Sequence, residues 1–189
     1  PQPTNGSGYA KAAFELGAVP EYLLPLLPVF GRALLEMGTT KRDFVDLNMT
    51  IARKTGGMEV DTLFLTHASS RNPVSRLILS GKASPEKTDE LFGLMTEVLV
   101  DARLDQKERF SRMILEEKAR QEHAIVPSGH MVADTRLRSA ISGAGMPAEL
   151  PGGARYLDFL RRPPFPAHTD WHSVLTKPHS PPRLVLHWT

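Results

Sequence analysis

The order in which two apolar periodicities succeed each other constrains this chain more than any single residue does. From Tyr9 to Leu16 apolar and other residues alternate, with Ala10, Ala12, Phe14 and Leu16 on one side and Lys11 and Glu15 on the other, which predicts a half-buried strand. The apolar run from Pro20 to Met37 is too long for a strand. It reads as a helix with Pro28 in its first turn and Gly38 as its stop. Asp43, followed by Phe44, Leu47 and Ile51 at helical spacing, marks a second helix start. Arg53 and Lys54 then complement the helix dipole, and Gly56-Gly57 can supply a left-handed closing residue. Period two returns in two strands, about Met58 to Leu65 and Val74 to Lys82, joined as a hairpin by the polar link Ser69 to Pro73.

Helical spacing then resumes. Ser84-Pro85-Glu86 opens a helix carrying Leu91, Leu94, Met95 and Val98 on one stripe. Asp105 with Glu108 forms a capping-box pattern for a longer helix that buries Phe110, Met113 and Ile114. Pro127-Ser128-Gly129 breaks it, a further helix runs from Ser128 to Ile141, and a short one carries Tyr156, Phe159 and Leu160 inward. Strand, two helices, two strands and then helices is an α+β order, with an antiparallel sheet packed by amphipathic helices. Residues 1–162 form one incomplete domain on this reading. Pro163, Pro164, Pro166, Pro178, Pro181 and Pro182 mark residues 163–189 as an irregular tail outside the core, in which Arg183 to Trp188 could add a short edge strand.

Composition excludes several function classes. With 41% hydrophobic and 23% charged residues among 189, the chain has the balance of an ordinary globular domain. No apolar run approaches the roughly 20 residues that span a bilayer. The 23 basic and 21 acidic residues are interleaved, leaving a net charge of +2 and no basic footprint for nucleic acid. Only the pI of 9.1 points to nucleic acid. Without cysteine there is no disulfide framework and no thiolate metal site. The first residues carry no visible targeting signal.

Sites for chemistry are absent by pattern. A catalytic zinc site needs two histidines on one helical face beside a carboxylate, yet His67, His123, His130, His168, His172, His179 and His187 include neither His-Glu-x-x-His nor its inverse. Glu122, His123 and His130 could converge across the Pro127 break, but ordinary helix-end placement explains them as well. Lys54-Thr55-Gly56-Gly57 follows a helix where a phosphate loop would precede one, and Gly143 to Ala148 lacks the strand that a dinucleotide fingerprint requires. Asn5-Gly6-Ser7 and Asn48-Met49-Thr50 match glycosylation sequons by letter only. No Gly-x-Ser-x-Gly elbow occurs. The basic residues Arg103, Lys107, Arg109, Arg112, Lys118 and Arg120 alternate with Asp105, Glu108, Glu116, Glu117 and Glu122, which reads as a solvated helix face. No catalytic, cofactor-binding or metal residue is therefore assigned.

The stretches Leu26 to Phe30, Leu34 to Thr39, Asp46-Leu47-Asn48 and Ile51 to Gly57 resemble the third domain of presequence proteases, especially the plant organellar type. These are zinc metallopeptidases of the pitrilysin/insulinase superfamily. The likeness continues through Asp89 to Met95, Gln106 to Phe110, Ser128-Gly129-His130 and Tyr156 to Trp171, and departs at Arg162 to Thr169, where prolines replace a charged helix. The resemblance implies a four-domain clamshell that degrades targeting peptides and other short unstructured peptides in the mitochondrial matrix or chloroplast stroma, with bacterial cytoplasm as a further setting. It also implies zinc held in the first domain by His-x-x-Glu-His and a further glutamate, assisted by an Arg and a Tyr of the fourth domain. None of those residues lies in this chain, so the resemblance makes it a chamber-wall segment, inactive alone. Its implied partners are the remaining domains of the parent peptidase and short peptide substrates, with no nucleic acid and no membrane. The rival reading is a stand-alone, non-enzymatic helical module that binds peptides or a partner protein.

Overall fold

Alternation in the first strand is what splits the molecule into a covered and an open side. The computed structural model describes residues 6–17, 19–66, 73–141, 154–162 and 183–187. β1 (Gly8–Glu15) buries Ala10 and Ala12 while Lys11 and Glu15 face solvent, as period two requires. It pairs antiparallel with β3 (Pro73–Ala83), placing Ala12 opposite Leu79. β3 in turn pairs antiparallel with β2 (Met58–Thr66), placing Val60 opposite the same leucine. The α+β architecture with an antiparallel sheet is therefore present, with β3 paired between β2 and β1. The β2–β3 hairpin forms as the sequence suggests, although the link at 67–72 lies outside the described residues.

A fourth strand, β4 (Arg183–His187), takes the edge-strand position that the sequence allows within the tail and gives the order β2-β3-β1-β4. It pairs antiparallel with β1, with Ala12 opposite Leu184, and so belongs to the sheet. The physical reason is the unpaired outer edge of β1, whose backbone groups accept a strand wherever one is available. The proline-rich segment 163–182 lies outside the described residues.

The expected helix from Pro20 to Met37 is divided. A 3-10 segment, Glu21–Leu26, leads into α1 (Leu27–Glu36). Pro28 has no amide hydrogen to give the carbonyl four residues back, so the α-helix can begin only just before it. Gly38 stops α1 at φ 79°, where a Cβ would stand 2.8 Å from the Arg42 carbonyl oxygen. α2 (Phe44–Lys54) is capped by Asp43, whose side chain accepts from the Asp46 amide at 2.8 Å.

The end of α2 differs from a left-handed glycine closure. Thr55 takes an extended conformation, its hydroxyl donating to the Ile51 carbonyl at 2.7 Å and accepting from the Gly57 amide at 3.0 Å. A side chain thus closes the helix. Gly57 does have a positive φ, 119°, but it serves the turn into β2.

α3 (Thr88–Val100) follows a 3-10 turn at Pro85–Lys87. α4 (Lys107–Ile141) is kinked at Ser128, directly after Pro127, so the expected break is a bend between two helical arms. The capping box at Asp105 is not formed. The Phe110 amide donates to the Gln106 carbonyl and the helix begins at Lys107, after a turn at 104–105 that follows the Arg103–Gly38 bond and the Ala102–Thr39 bridge. α5 (Ala154–Leu160) packs back on α4.

Helices α1 to α5 all contribute to a core on one side of the sheet. Phe30, Leu34, Leu47, Leu94, Val98, Met113 and Tyr156 belong to one buried cluster, and Ala10, Ala12, Leu79 and Leu91 to the layer against the strands. Two glycines set the spacing. A Cβ on Gly31 of α1 would lie 2.9 Å from Val60 of β2, and one on Gly81 of β3 would lie 2.6 Å from Leu91 of α3.

Candidate functional site

The side of the sheet away from the described helices, its open side among the described residues, is where this fold presents chemistry. The alternate positions of the strands fall on it: Tyr9 and Lys11 from β1, Glu59 and Asp61 from β2, Arg76 and Lys82 from β3, with Ser80 of β3 sunk among them at 7% exposure. Register places them in rows. Glu59, Ser80 and Lys11 are successive partners across three strands, and Lys82 pairs with Tyr9 one row on. Beside them the Thr55–Gly57 turn enters β2, with the Gly56 amide donating to the Lys82 carbonyl at 2.7 Å. Tyr9, Lys11, Gly56, Gly57, Glu59 and Lys82 border a groove of about 340 Å³, within the size range of small-ligand sites. Further along, Arg76 and Glu15 pair at 3.3 Å.

Two buried carboxylates organise the opposite, helical side. Glu97 of α3 accepts from the Thr39 hydroxyl at 2.7 Å and from the Arg42 guanidinium. Burial alone would push its carboxyl up. The Thr39 hydrogen bond, then Arg42 and Lys41, outweigh that and hold it below the usual carboxylate range. Lys41 reaches Asp101 at 2.7 Å, so the α1–α2 corner is fastened to the end of α3.

Glu117 of α4 is fully buried, accepting from Arg120 at 2.9 and 2.5 Å and from Gln121 at 2.9 Å, with Arg32 at 3.9 Å. The reading of this stretch as a solvated face fails at Glu117. Its position is visible in the spacing, since Phe110, Met113, Ile114 and Glu117 continue one stripe at steps of three and four. Arg32 of α1 ties that helix to the cluster by reaching Glu116 at 3.3 Å and Glu117 at 3.9 Å, while a two-pronged bond to Glu36 within α1, 3.1 and 2.9 Å, holds its guanidinium in place. Tyr156 of α5 is buried beside Glu117, yet its hydroxyl has no hydrogen-bond partner among the described residues. Burial and the Glu117 charge both push its phenol well above the ordinary range. These groups join helices to one another. A buried ion cluster of this kind is structural.

Among the described residues, Glu122, His123 and His130 do not converge. His123 and His130 are exposed on α4 on either side of the Ser128 kink, and Glu122 bonds to Arg161 at 3.1 Å. His187 lies in β4, while His67, His168, His172 and His179 lie outside the described residues, as do Asn5 and Gly143 to Ala148. Among the described residues no three His, Asp or Glu side chains group as a metal site. Asn48 of the second sequon donates to the Leu35 and Phe44 carbonyls. No described helix is long and apolar enough to cross a membrane.

A family model described as Peptidase M-16C associated matches residues 1–162. The chain belongs to that family. It is 36% identical over 171 residues to presequence protease 1, chloroplastic/mitochondrial, of Arabidopsis thaliana, covering 90% of this chain and 16% of that protein. It is 27% identical over 187 residues to the mitochondrial presequence protease of Danio rerio, covering 98% of this chain and 18% of that one. Protein HypA of Clostridium perfringens is 30% identical over 158 residues, 83% of this chain and 16% of its own length. The chain is thus a presequence-protease-like segment, spanning about a sixth of the length of these relatives.

Proposed function

We propose that this chain is a non-catalytic wall segment of a zinc metalloendopeptidase that degrades targeting peptides and other short unstructured peptides. The observation that carries the reading is the likeness over residues 1–162 to a segment of presequence proteases. The fold supports it. Among the described residues helices cover one side of the sheet and a charged, grooved face lies on the other, the form a chamber lining needs. The residues present do not fit a zinc ion: the inverted histidine motif is missing from the sequence, and the two buried carboxylates already have arginine partners. In this reading zinc and the water it activates belong to another part of the parent enzyme. Tyr22, Val45 and Met49, all more than half exposed, supply apolar surface for contact with its other domains. The names of the plant and animal relatives favour a mitochondrial or chloroplast setting.

A chimera tests this. The Arabidopsis thaliana relative with its matching segment replaced by this chain should cleave an unstructured fluorogenic peptide in a chelator-sensitive way, whereas deleting the segment should abolish cleavage. Full activity in the deletion would overturn the proposal.

A further inference from the structure

The open-face groove holds two cations without partners among the described residues. Lys11 and Lys82 are exposed, lie on the same face in adjacent strands, and are diagonal neighbours in the β1–β3 register, since Lys11 pairs with Ser80 and Lys82 with Tyr9. Diagonal positions of this kind lie within reach of long side chains. Among the described residues neither lysine makes an ion pair or a side-chain hydrogen bond, and neither does the largely buried Ser80, which pairs with Lys11 on one side and Glu59 on the other. Lys82 is also directed. Its stem runs over Gly56, where a Cβ would stand 2.7 Å from its Cγ and 2.9 Å from its Cε, so the bare glycine backbone allows the side chain to lie along the groove.

The geometry points to Lys11 and Lys82 as a docking point for the free α-carboxylate of a short extended peptide, with the Ser80 hydroxyl as an added donor and the Tyr9 ring against the peptide's last side chain. Among the described lining residues, two ammonium groups against the carboxylate of Glu59 leave one net positive charge, which suits a monoanion better than a doubly charged phosphate. The half-exposed Tyr9 ring favours an anion carried on an apolar body. The groove also lies next to β2, the edge strand of the sheet, where backbone groups are available to extended chain. This subsite rests on the peptide-handling reading above and specifies where a peptide end would be held.

The test uses the full 189-residue chain and one unstructured decapeptide, prepared as the free acid and as the C-terminal amide, with binding followed by amide chemical shifts. The free acid is expected to shift Gly56, Gly57, Ser80 and Gly81 and to bind roughly five-fold or more tightly than the amide, the scale of one to two exposed ion pairs. Lys11→Gln with Lys82→Gln should erase the difference at an unchanged melting temperature. Gly56→Ala, which displaces Lys82 but keeps its charge, should reduce it. Equal affinity of acid and amide, or a preference that survives the double lysine variant, overturns the subsite; if both forms bind equally elsewhere on the sheet, peptide handling stands without it. Inorganic phosphate displacing the peptide at lower concentration than acetate would show a phosphate site and also overturn it. Absence of any binding removes the subsite, and the chimera decides the wall reading separately.

Discussion

At the scale of single residues, the buried polar groups divide into satisfied and unsatisfied ones, and the two should respond oppositely to deletion. Tyr156 buries a hydroxyl with no partner among the described residues, so Tyr156→Phe removes a desolvated group at no loss of a bond. Its melting temperature should stay the same or rise. A fall equivalent to about 1 kcal/mol or more would mean that the hydroxyl is bonded to Glu117 after all. Glu97 is the contrary case, accepting from Thr39 and Arg42 inside the α1–α3 junction. Glu97→Gln should cost on the order of 1–3 kcal/mol at neutral pH, the value of hydrogen bonds to a charged group. Because its folded carboxyl lies below the ordinary range, the stabilisation is present above the unfolded value near pH 4 and is lost as pH falls through the lower, folded one. Denaturant midpoints of the two proteins should therefore converge in acid. A gap that persists unchanged at pH 2 would show that the carboxylate's charge does not matter there.

At the scale of elements, spacing between layers is set by glycines and the sheet's edge by its last strand. Gly31→Ala should push α1 away from Val60, a stiff β-branched contact, and cost about 1–3 kcal/mol as overpacking does. An unchanged midpoint would show that β2 yields freely. β4 pairs along five residues of β1, so deleting 183–189 should lower stability by about 1–3 kcal/mol on cross-strand pairing values. Slow amide exchange at Leu184 to Leu186 should accompany it in the intact chain; rapid exchange there would dismiss the pairing. Elements with strong local signals are legible in sequence: the β1 alternation, the Asp43 cap, the hairpin strands and the Pro127 bend each follow from residues close together in the chain. Legibility fails where remote contacts decide the outcome. The start of α4 depends on Gly38 and Thr39, far away in sequence, and β4 depends on an edge that only the assembled sheet presents.

At the scale of the whole molecule, the one-sided layering explains why sequence patterns locate a core but not a groove. Lys11, Ser80 and Lys82 are close only through strand register, and no local motif joins them. Glu117 is hidden for a related reason, since a charged residue on a charged helix shows its burial only through the stripe it continues. The same layering yields the last prediction, that the isolated chain binds no stoichiometric zinc and cleaves no unstructured peptide. Zinc hydrolysis needs a ligand set that leaves one position open for water, and a carboxylate free to take that water's proton. Here Glu97 and Glu117 are committed to arginines within the helical layer, and the carboxylate of the groove, Glu59, stands beside two lysines and no described histidine. Metal analysis after dialysis and a fluorogenic peptide assay on pure chain check the expectation. Chelator-sensitive turnover would sink it, and would require ligands from residues 67–72, 142–153 or 163–182 to come together on this fold.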